Sequence, residues 1–240
     1  MTIYERQVAR KLWKWQVEMQ KHASFTSKVS SNLQGRINRA IPEKVHEVIT
    51  TSIRQMTRAV FYGADFINPT PLEHASLRVR EHRVLKRIRF YRNTATAEGA
   101  ITGAGGILLG LADFPLWLAL KMKLLFEISA LYGYHVSDYR ERLYMLHIFQ
   151  LTFSNQDKRN KVYAQMADWD AYLQHLPQDI NAFDWRTFQQ DYRDYIDIAK
   201  LIQLVPGIGA VAGAYVNHRL TGRLGEYAMN AYRMRLLPGN

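Results

Sequence analysis

Apolar side chains recur three and four positions apart along most of the chain, and this periodicity limits the possible folds more than any other feature. Segment 3–21 shows it first, with an apolar stripe flanked by lysines and arginines; the stripe residues are Tyr4, Val8, Leu12, Trp15 and Met19. Alternating β-branched runs bounded by turns, which are typical of strands, are almost absent. The sequence therefore predicts an all-α fold, a compact bundle of many helices.

The length and composition favour a single domain over residues 1–240. A chain of 240 residues with 48% hydrophobic residues can fill one large core. The chain contains no cysteine, which excludes disulfides, thiolate metal sites and cysteine nucleophiles and is typical of a reducing compartment. The first 22 residues carry charges throughout, unlike a secretory signal, so we expect a cytoplasmic protein.

The net charge of +11 is concentrated in the first part of the chain. Residues 1–100 contain 18 Lys and Arg against 8 Asp and Glu, whereas residues 101–240 contain 14 against 13. We treat 1–98 as the basic part of the domain. A one-sided excess of this kind is typical of a protein that meets a polyanion, either nucleic acid or an anionic membrane.

Local signals place several helix boundaries. Pro42 opens a helix whose buried face includes Val45, Ile49 and Ile53, and Pro71 or Leu72 starts the next helix, over 72–92. Asp113, followed by Pro115, caps a helix that ends before Gly133. Ser137 or Asp138 caps another, which ends near Phe153, and the polar stretch 154–161 is predicted to be a connection.

The helix over 72–92 is the most basic part of the chain. A narrow apolar stripe that includes Val84, Leu85 and Ile88 runs through it, and Glu81 is the only acid between Arg78 and Arg92. Such a helix can lie on anionic lipid or can be an ordinary solvated helix that packs by its stripe. The candidate membrane- or polyanion-binding residues are Arg78, Arg80, Arg83, Lys86, Arg87, Arg89 and Arg92.

Two glycine-rich apolar segments follow, at 99–131 and 201–216. Their glycines are spaced four apart, so that glycine lines one helix face and permits close backbone approach. We predict that both segments pack centrally in the bundle. Insertion into a membrane is the alternative, although Asp113, Pro115 and Pro206 interrupt the apolar stretches. The predicted packing residues are Gly99, Gly103, Gly106, Gly110, Gly209 and Gly213.

No motif assigns a reaction. The weak catalytic candidates are the carboxylates Glu98, Asp113 and Glu127, but the last two would lie about 21 Å apart on one continuous helix. The pair Glu43 and His46 has a metal-ligand spacing that occurs once, where a di-iron bundle needs it twice. We therefore expect no metal and no cofactor.

Four blocks of the chain resemble the EcsC protein family, and together they reach nearly from end to end. They read WKWQVEMQK, INRAIPEKVHEVITTSIRQM, AEGAITGAGGILLGLADFPLWLALKMKLLFEISALYGY and LIQLVPGIGAVAGAYVNHRLTGRLGEYAMNAYRMRLL. The family takes its name from a bacterial operon that also encodes an ABC transporter. The resemblance implies association with such a transporter at the cytoplasmic membrane, by operon association alone, and carries over no catalytic residue.

Two functional hypotheses follow. The first is a non-enzymatic accessory protein at the cytoplasmic face of the membrane, a peripheral protein whose partners are anionic lipid or the membrane subunits of a transporter. The second is a lipid-acting or other hydrolase with an acidic pocket formed by Glu98 and Asp113. Nucleic-acid binding is not favoured, because no reading helix or aromatic platform is visible.

Overall fold

The computed structural model describes residues 1–21, 43–62, 68–103, 113–196 and 210–237; for 95–103, 157, 193–195 and 210–213 it describes only the backbone. The described ranges contain α-helices, one 3₁₀ turn over Ile180–Ala182 and no strand, which confirms the predicted all-α class. The helices are α1 (Ile3–Gln20), α2 (Glu43–Tyr62), α3 (Leu77–Gly103), α4 (Phe114–Leu131), α5 (Tyr139–Phe153), α6 (Gln156–Ala167), α7 (Trp169–Gln174), α8 (Trp185–Tyr195) and α9 (Ala210–Leu236).

Helix α9 is the element that joins the first and last parts of the chain. It packs most extensively on the basic helix α3 and also contacts α1, α4 and α5. Helix α2 lies against α4 and α5 and carries α8, whereas α6 packs between α1 and α5. The basic helix is therefore held against the body of the protein by α1, α4 and α9.

Helix α5 is buried over almost its whole length. Leu143, Leu146, Phe149 and Leu151 expose 0% of their surface, and the polar residues between them are buried as well. A helix buried on every side is typical of the centre of a bundle. The glycine-rich segments were predicted to lie there, but Gly106, Gly110 and Gly209 and the side-chain surroundings of Gly99, Gly103 and Gly213 are outside the described residues, so that packing stays a prediction.

The polar residues of α5 have partners inside the protein. The Arg142 guanidinium donates to the backbone carbonyls of Phe61, Val136 and Ser137 at 3.0, 3.1 and 2.6 Å. The Thr152 hydroxyl donates to the carbonyl of Ile148 at 2.8 Å. Because these bonds replace those lost from water, α5 can be buried despite its polar residues.

Several predicted boundaries are confirmed. The Asp138 carboxylate accepts from the backbone N–H of Arg140 at 2.9 Å at the start of α5. Gly133 follows the end of α4 with a φ of +94°, a conformation that glycine adopts without strain. Asp113 lies at the predicted N-cap of α4, with Pro115 in the first turn, but its side chain makes no capping hydrogen bond.

Two predicted boundaries are wrong. Residues 72–76 do not begin α3, because the Leu72 N–H bonds the Ala130 carbonyl at 2.7 Å and His74 has a φ of +51°, which no helix accommodates. Most of the polar stretch 154–161 belongs to α6. The Asn155 side chain caps this helix by accepting from the Lys158 N–H at 3.0 Å, and the buried residues Val162 and Met166 anchor its later turns.

The tight contact between α3 and α9 depends on glycines outside the predicted set. A Cβ atom on Gly225 would lie 2.5 Å from Cγ1 of Ile88, and one on Gly222 would lie 3.2 Å from Nε of Arg92. Gly225 therefore allows α3 to lie close to α9, and Gly222 leaves room for the Arg92 side chain. None of the helices in the described ranges has the length and apolar character that a membrane span requires.

Candidate functional site

The seven candidate cations on α3 have two different environments. Four of them are exposed and make no hydrogen bond or ion pair with a described residue: Arg78, Arg83, Lys86 and Arg89. Arg80 donates to the carbonyls of Ala75 and Leu131 at 2.9 and 3.4 Å, and Arg92 bonds Nε2 of His218 at 2.6 Å. The structure thus separates a solvent-facing group from cations that hold α3 to its neighbours.

Arg87 belongs to the second group, because its Nε lies 3.0 Å from the carboxylate of Glu127 on α4. The hydroxyl of Tyr91, one turn further along α3, donates to the same carboxylate at 2.9 Å. Burial, and then the hydrogen bond to Glu127, raises the pKa of Tyr91 above its usual range. Glu127 therefore ties α3 to α4, which is a structural role, and the sequence alone could not reveal this compensation of Arg87.

The exposed cations share their side of α3 with exposed apolar side chains. Phe90 exposes 56% of its surface and lies four residues after Lys86 and seven after Arg83. We call this surface the basic face; it consists of Arg78, Val79, Arg83, Lys86, Arg89 and Phe90. Cations beside exposed apolar rings are typical of helices that lie at a membrane interface. Leu85, which the sequence placed in the buried stripe, exposes 51% of its surface.

Glu81, the only acid between Arg78 and Arg92, is buried against other helices. It accepts two hydrogen bonds from Arg233 on α9, at 2.7 and 2.8 Å, and one from the Tyr4 hydroxyl at 2.6 Å. Burial, and then the bond to Glu81, raises the pKa of Tyr4 to about 12. Glu81 therefore leaves the basic face uncompensated.

A second buried carboxylate, Glu141 on α5, has the same kind of partner. It accepts from Arg235 at 2.6 Å, from the Tyr232 hydroxyl at 2.6 Å and from the Ser129 hydroxyl at 3.0 Å. The Arg235 guanidinium also lies 3.8 Å from the centre of the Tyr134 ring. Both arginines come from the last turns of α9, so these pairs fix the C-terminal end of that helix.

The acidic pocket required by the hydrolase hypothesis has no described geometry in its favour. Asp113 is exposed, and the Glu98 side chain lies outside the described residues. Glu127 is held by Arg87 and Tyr91. Among the described residues, no group of three or more His, Asp or Glu is arranged to hold a metal ion, and Glu43 with His46 does not form one.

Side chains of α4 and α9 meet at a buried polar cluster that the sequence did not predict. Asn217 on α9 accepts through Oδ1 from Nε1 of Trp117 at 2.5 Å and from Nζ of Lys121 at 2.9 Å. Lys121 is only 2% exposed, and its ammonium lies 4.7 Å from the centre of the Trp117 ring. The cluster links α4 to α9, and only the unusual placement of Asn and Lys in apolar segments pointed to it.

A groove of about 960 Å³ runs between α1, α3 and α9, beside the basic face. Helix α1 contributes Trp15, α3 contributes Ile88, and α9 contributes Tyr215 and Tyr227 to its apolar lining. Its charged lining residues are the cations Lys11, Arg92, Arg219, Arg223 and Arg233 and the acids Glu18, Glu81 and Glu226. The sequence did not predict this groove, because its walls come from three helices that are far apart in the chain.

Comparison with known proteins places the chain in a family. Protein EcsC of Bacillus subtilis (strain 168) is 40% identical over 224 residues, which cover 93% of this chain and 92% of that protein. Uncharacterized protein YdbA of the same organism is 32% identical over 143 residues, which cover 60% of this chain and 53% of that protein. No solved structure gives a significant match. The model of the EcsC protein family matches residues 6–237, and the chain therefore belongs to the EcsC protein family.

Proposed function

We propose that this protein is a non-enzymatic accessory protein that docks on the anionic cytoplasmic face of the membrane through the basic face of α3. The observation that carries the proposal is the exposure of Arg83, Lys86 and Arg89 beside Phe90, with no ion pair to any described carboxylate. Cations in water near an anionic leaflet contribute about 1 kcal/mol each. An exposed aromatic ring adds apolar contact at the same depth.

The opposite side of α3 supports this assignment. Val84, Ile88 and Tyr91 are buried against the body of the protein, and Arg87 is tied to Glu127. The helix therefore need not leave the bundle for its basic face to meet a membrane. Docking by a surface that is already formed requires little conformational change and is compatible with the absence of a membrane-spanning helix in the described ranges.

Vesicle cosedimentation tests the proposal. We expect the protein to bind vesicles of phosphatidylcholine and phosphatidylglycerol, to bind pure phosphatidylcholine poorly, and to be released by salt. The triple variant Arg83→Gln, Lys86→Gln, Arg89→Gln should bind on the order of 100-fold more weakly, since about 3 kcal/mol of attraction is removed. Arg87 is left intact because its guanidinium pairs with Glu127.

The matched control removes three exposed cations from other helices: Arg58→Gln on α2, Lys123→Gln on α4 and Lys161→Gln on α6. It lowers the net charge equally and should retain most of the binding. If the two triple variants lose binding to the same extent, net charge rather than the basic face is responsible. If neither loses binding, the proposal is wrong.

The transporter implied by the family resemblance is a second candidate partner for the basic face. Vesicles that contain no protein separate the two partners, because binding to lipid alone requires no transporter subunit. If the protein does not bind anionic vesicles but sediments with membranes that contain the transporter, the partner is a membrane protein and not the lipid surface.

A further inference from the structure

We infer that the groove between α1, α3 and α9 binds an organic phosphate, meaning a phosphate ester attached to an apolar or aromatic group. This site is distinct from the basic face, and it does not rest on membrane docking. The volume of about 960 Å³ is in the range of small-molecule sites. It greatly exceeds the space that a lone inorganic ion fills and leaves room for an organic part of the ligand.

The charges that line the groove point to an anion. Arg233 and Glu81 neutralise each other through two hydrogen bonds at one end. The remaining charged lining residues are four cations against two acids; they are Lys11, Arg92, Arg219 and Arg223, and Glu18 and Glu226. The lining therefore carries more positive than negative charge, and arginine binds phosphate oxygens with two parallel hydrogen bonds.

One buried hydrogen-bond donor at the groove has no acceptor. Trp15 is 6% exposed and lines the groove, yet its Nε1 has no hydrogen-bond partner in the described part of the chain. Buried donors without acceptors are costly and rare in native proteins. A ligand rich in acceptor oxygens would satisfy at least the donor that lines the groove.

Arg223 adds positive potential on the α9 side of the groove. Its guanidinium lies 5.1 Å from the centre of the Tyr227 ring and donates to the Tyr227 hydroxyl at 3.0 Å.

The rest of the lining fits the organic part of the ligand. Leu85 and Tyr215 expose 51% and 65% of their surface, and Ile88 and Trp15 form apolar wall between the charged groups. Gly222 leaves space for the side chain of Arg92, because a Cβ atom there would lie 3.2 Å from its Nε. A ring or an acyl chain can pack on this surface while the phosphate meets the cations.

Titration of the full chain with two probes tests the inference. Phenyl phosphate represents a soluble ester, and monomeric dihexanoyl phosphatidylglycerol represents a lipid headgroup. We expect saturable binding of at least one probe by calorimetry, at least tenfold tighter than that of benzoate, which carries a ring but no phosphate. Binding of phenyl phosphate alone indicates a soluble source, and binding of the lipid alone indicates a membrane source. Binding of neither probe overturns the inference, as does equal binding of benzoate.

Variants locate the site. Lys11→Gln with Arg219→Gln removes two exposed groove cations and should weaken binding at least tenfold without unfolding the protein. Lys123→Gln with Lys161→Gln removes two exposed cations elsewhere and should leave affinity unchanged. Trp15→Phe removes one donor, keeps an aromatic ring, and should weaken binding three- to tenfold. Unchanged affinity in the Lys11 and Arg219 variant overturns the assignment to this groove, whatever the vesicle experiments show.

Discussion

His147 shows how a polar residue can occupy the centre of this bundle. Its ring lies among the aromatic rings of Trp169, Tyr172 and Phe188, with centroid distances of 5.4, 5.4 and 6.1 Å. Nδ1 lies 2.8 Å from the Leu143 carbonyl, so the neutral ring donates a hydrogen bond there. Burial lowers the pKa of His147 from 6.5 to about 4. The folded protein therefore holds this imidazole in its neutral form.

This environment predicts a loss of stability in acid. The unfolded chain takes up a proton at His147 near pH 6.5, whereas the folded protein resists until about pH 4. Stability from this residue is therefore complete above pH 6.5 and falls as the pH is lowered towards 4, by about 2 kcal/mol at pH 5. In the variant His147→Leu, the unfolding free energy should therefore fall by about 2 kcal/mol less between pH 7 and pH 5 than in wild type. Urea unfolding at the two pH values measures this difference.

An exposed histidine serves as the control. His175→Leu removes an imidazole from the surface and should leave the difference in unfolding free energy between the two pH values unchanged. If wild type and His147→Leu lose stability equally between pH 7 and pH 5, the buried ring does not govern the acid response.

Single residues in the sequence indicated charge and local geometry but not their distant partners. The positions of Arg83, Lys86 and Arg89 on a helix, and of Asp138 at an N-cap, follow from local spacing. The pair of Arg233 with Glu81 joins residues 152 positions apart, and no local pattern predicts it. Glu127 was a catalytic candidate in the sequence because its partners, Arg87 and Tyr91, could not be predicted.

At the scale of elements, α3 is a helix with three functional sides. One side is buried, one presents the basic face, and one lines the groove with Leu85, Ile88 and Arg92. The spacing of its apolar residues predicted the buried side, because apolar residues three and four apart lie on one face of a helix. The exposed position of Leu85 was not predicted. In the sequence, an apolar residue beside the stripe has the same spacing whether it lines an open groove or packs under a neighbouring helix. Polarity likewise misled the prediction for 154–161, where Asn155 caps a helix.

The close packing of α3 on α9 gives a prediction at the same scale. Gly225→Ala would place a Cβ atom 2.5 Å from Cγ1 of Ile88, so the Ile88 side chain or one of the two helices must move. We expect a loss of about 1–3 kcal/mol in unfolding free energy, as for other overpacked cores, measured by thermal or urea denaturation. Combining it with Ile88→Ala should cost less than the sum of the two single changes, because the crowded atoms are gone.

Gly222→Ala is the matched control. Its nearest contact is the flexible Arg92 side chain at 3.2 Å, and alanine favours the helix by about 1 kcal/mol over glycine. The variant should be near neutral or more stable than wild type. Equal destabilisation by the two substitutions would contradict the close contact at Gly225.

At the scale of the whole molecule, the basic face and the groove lie next to each other on one helix. The three helices around the groove come from the beginning, the middle and the end of the chain, so the site exists only in the folded protein. The all-α class follows from the apolar periodicity alone. The groove, in contrast, depends on the packing of α9 against α1 and α3. This packing is fixed by contacts between residues far apart in the chain, among them the ion pair of Arg233 with Glu81.

The absence of cysteine allows the most direct test of docking. A single cysteine introduced by Phe90→Cys and labelled with an environment-sensitive fluorophore would report contact of the basic face with lipid. Gln190→Cys on α8, a helix that packs on α2, gives the matched reference position. With vesicles containing phosphatidylglycerol, the account predicts a blue shift at position 90 that is reversed by salt, and none at position 190. An unchanged spectrum at position 90, or an equal shift at both positions, would contradict docking through α3.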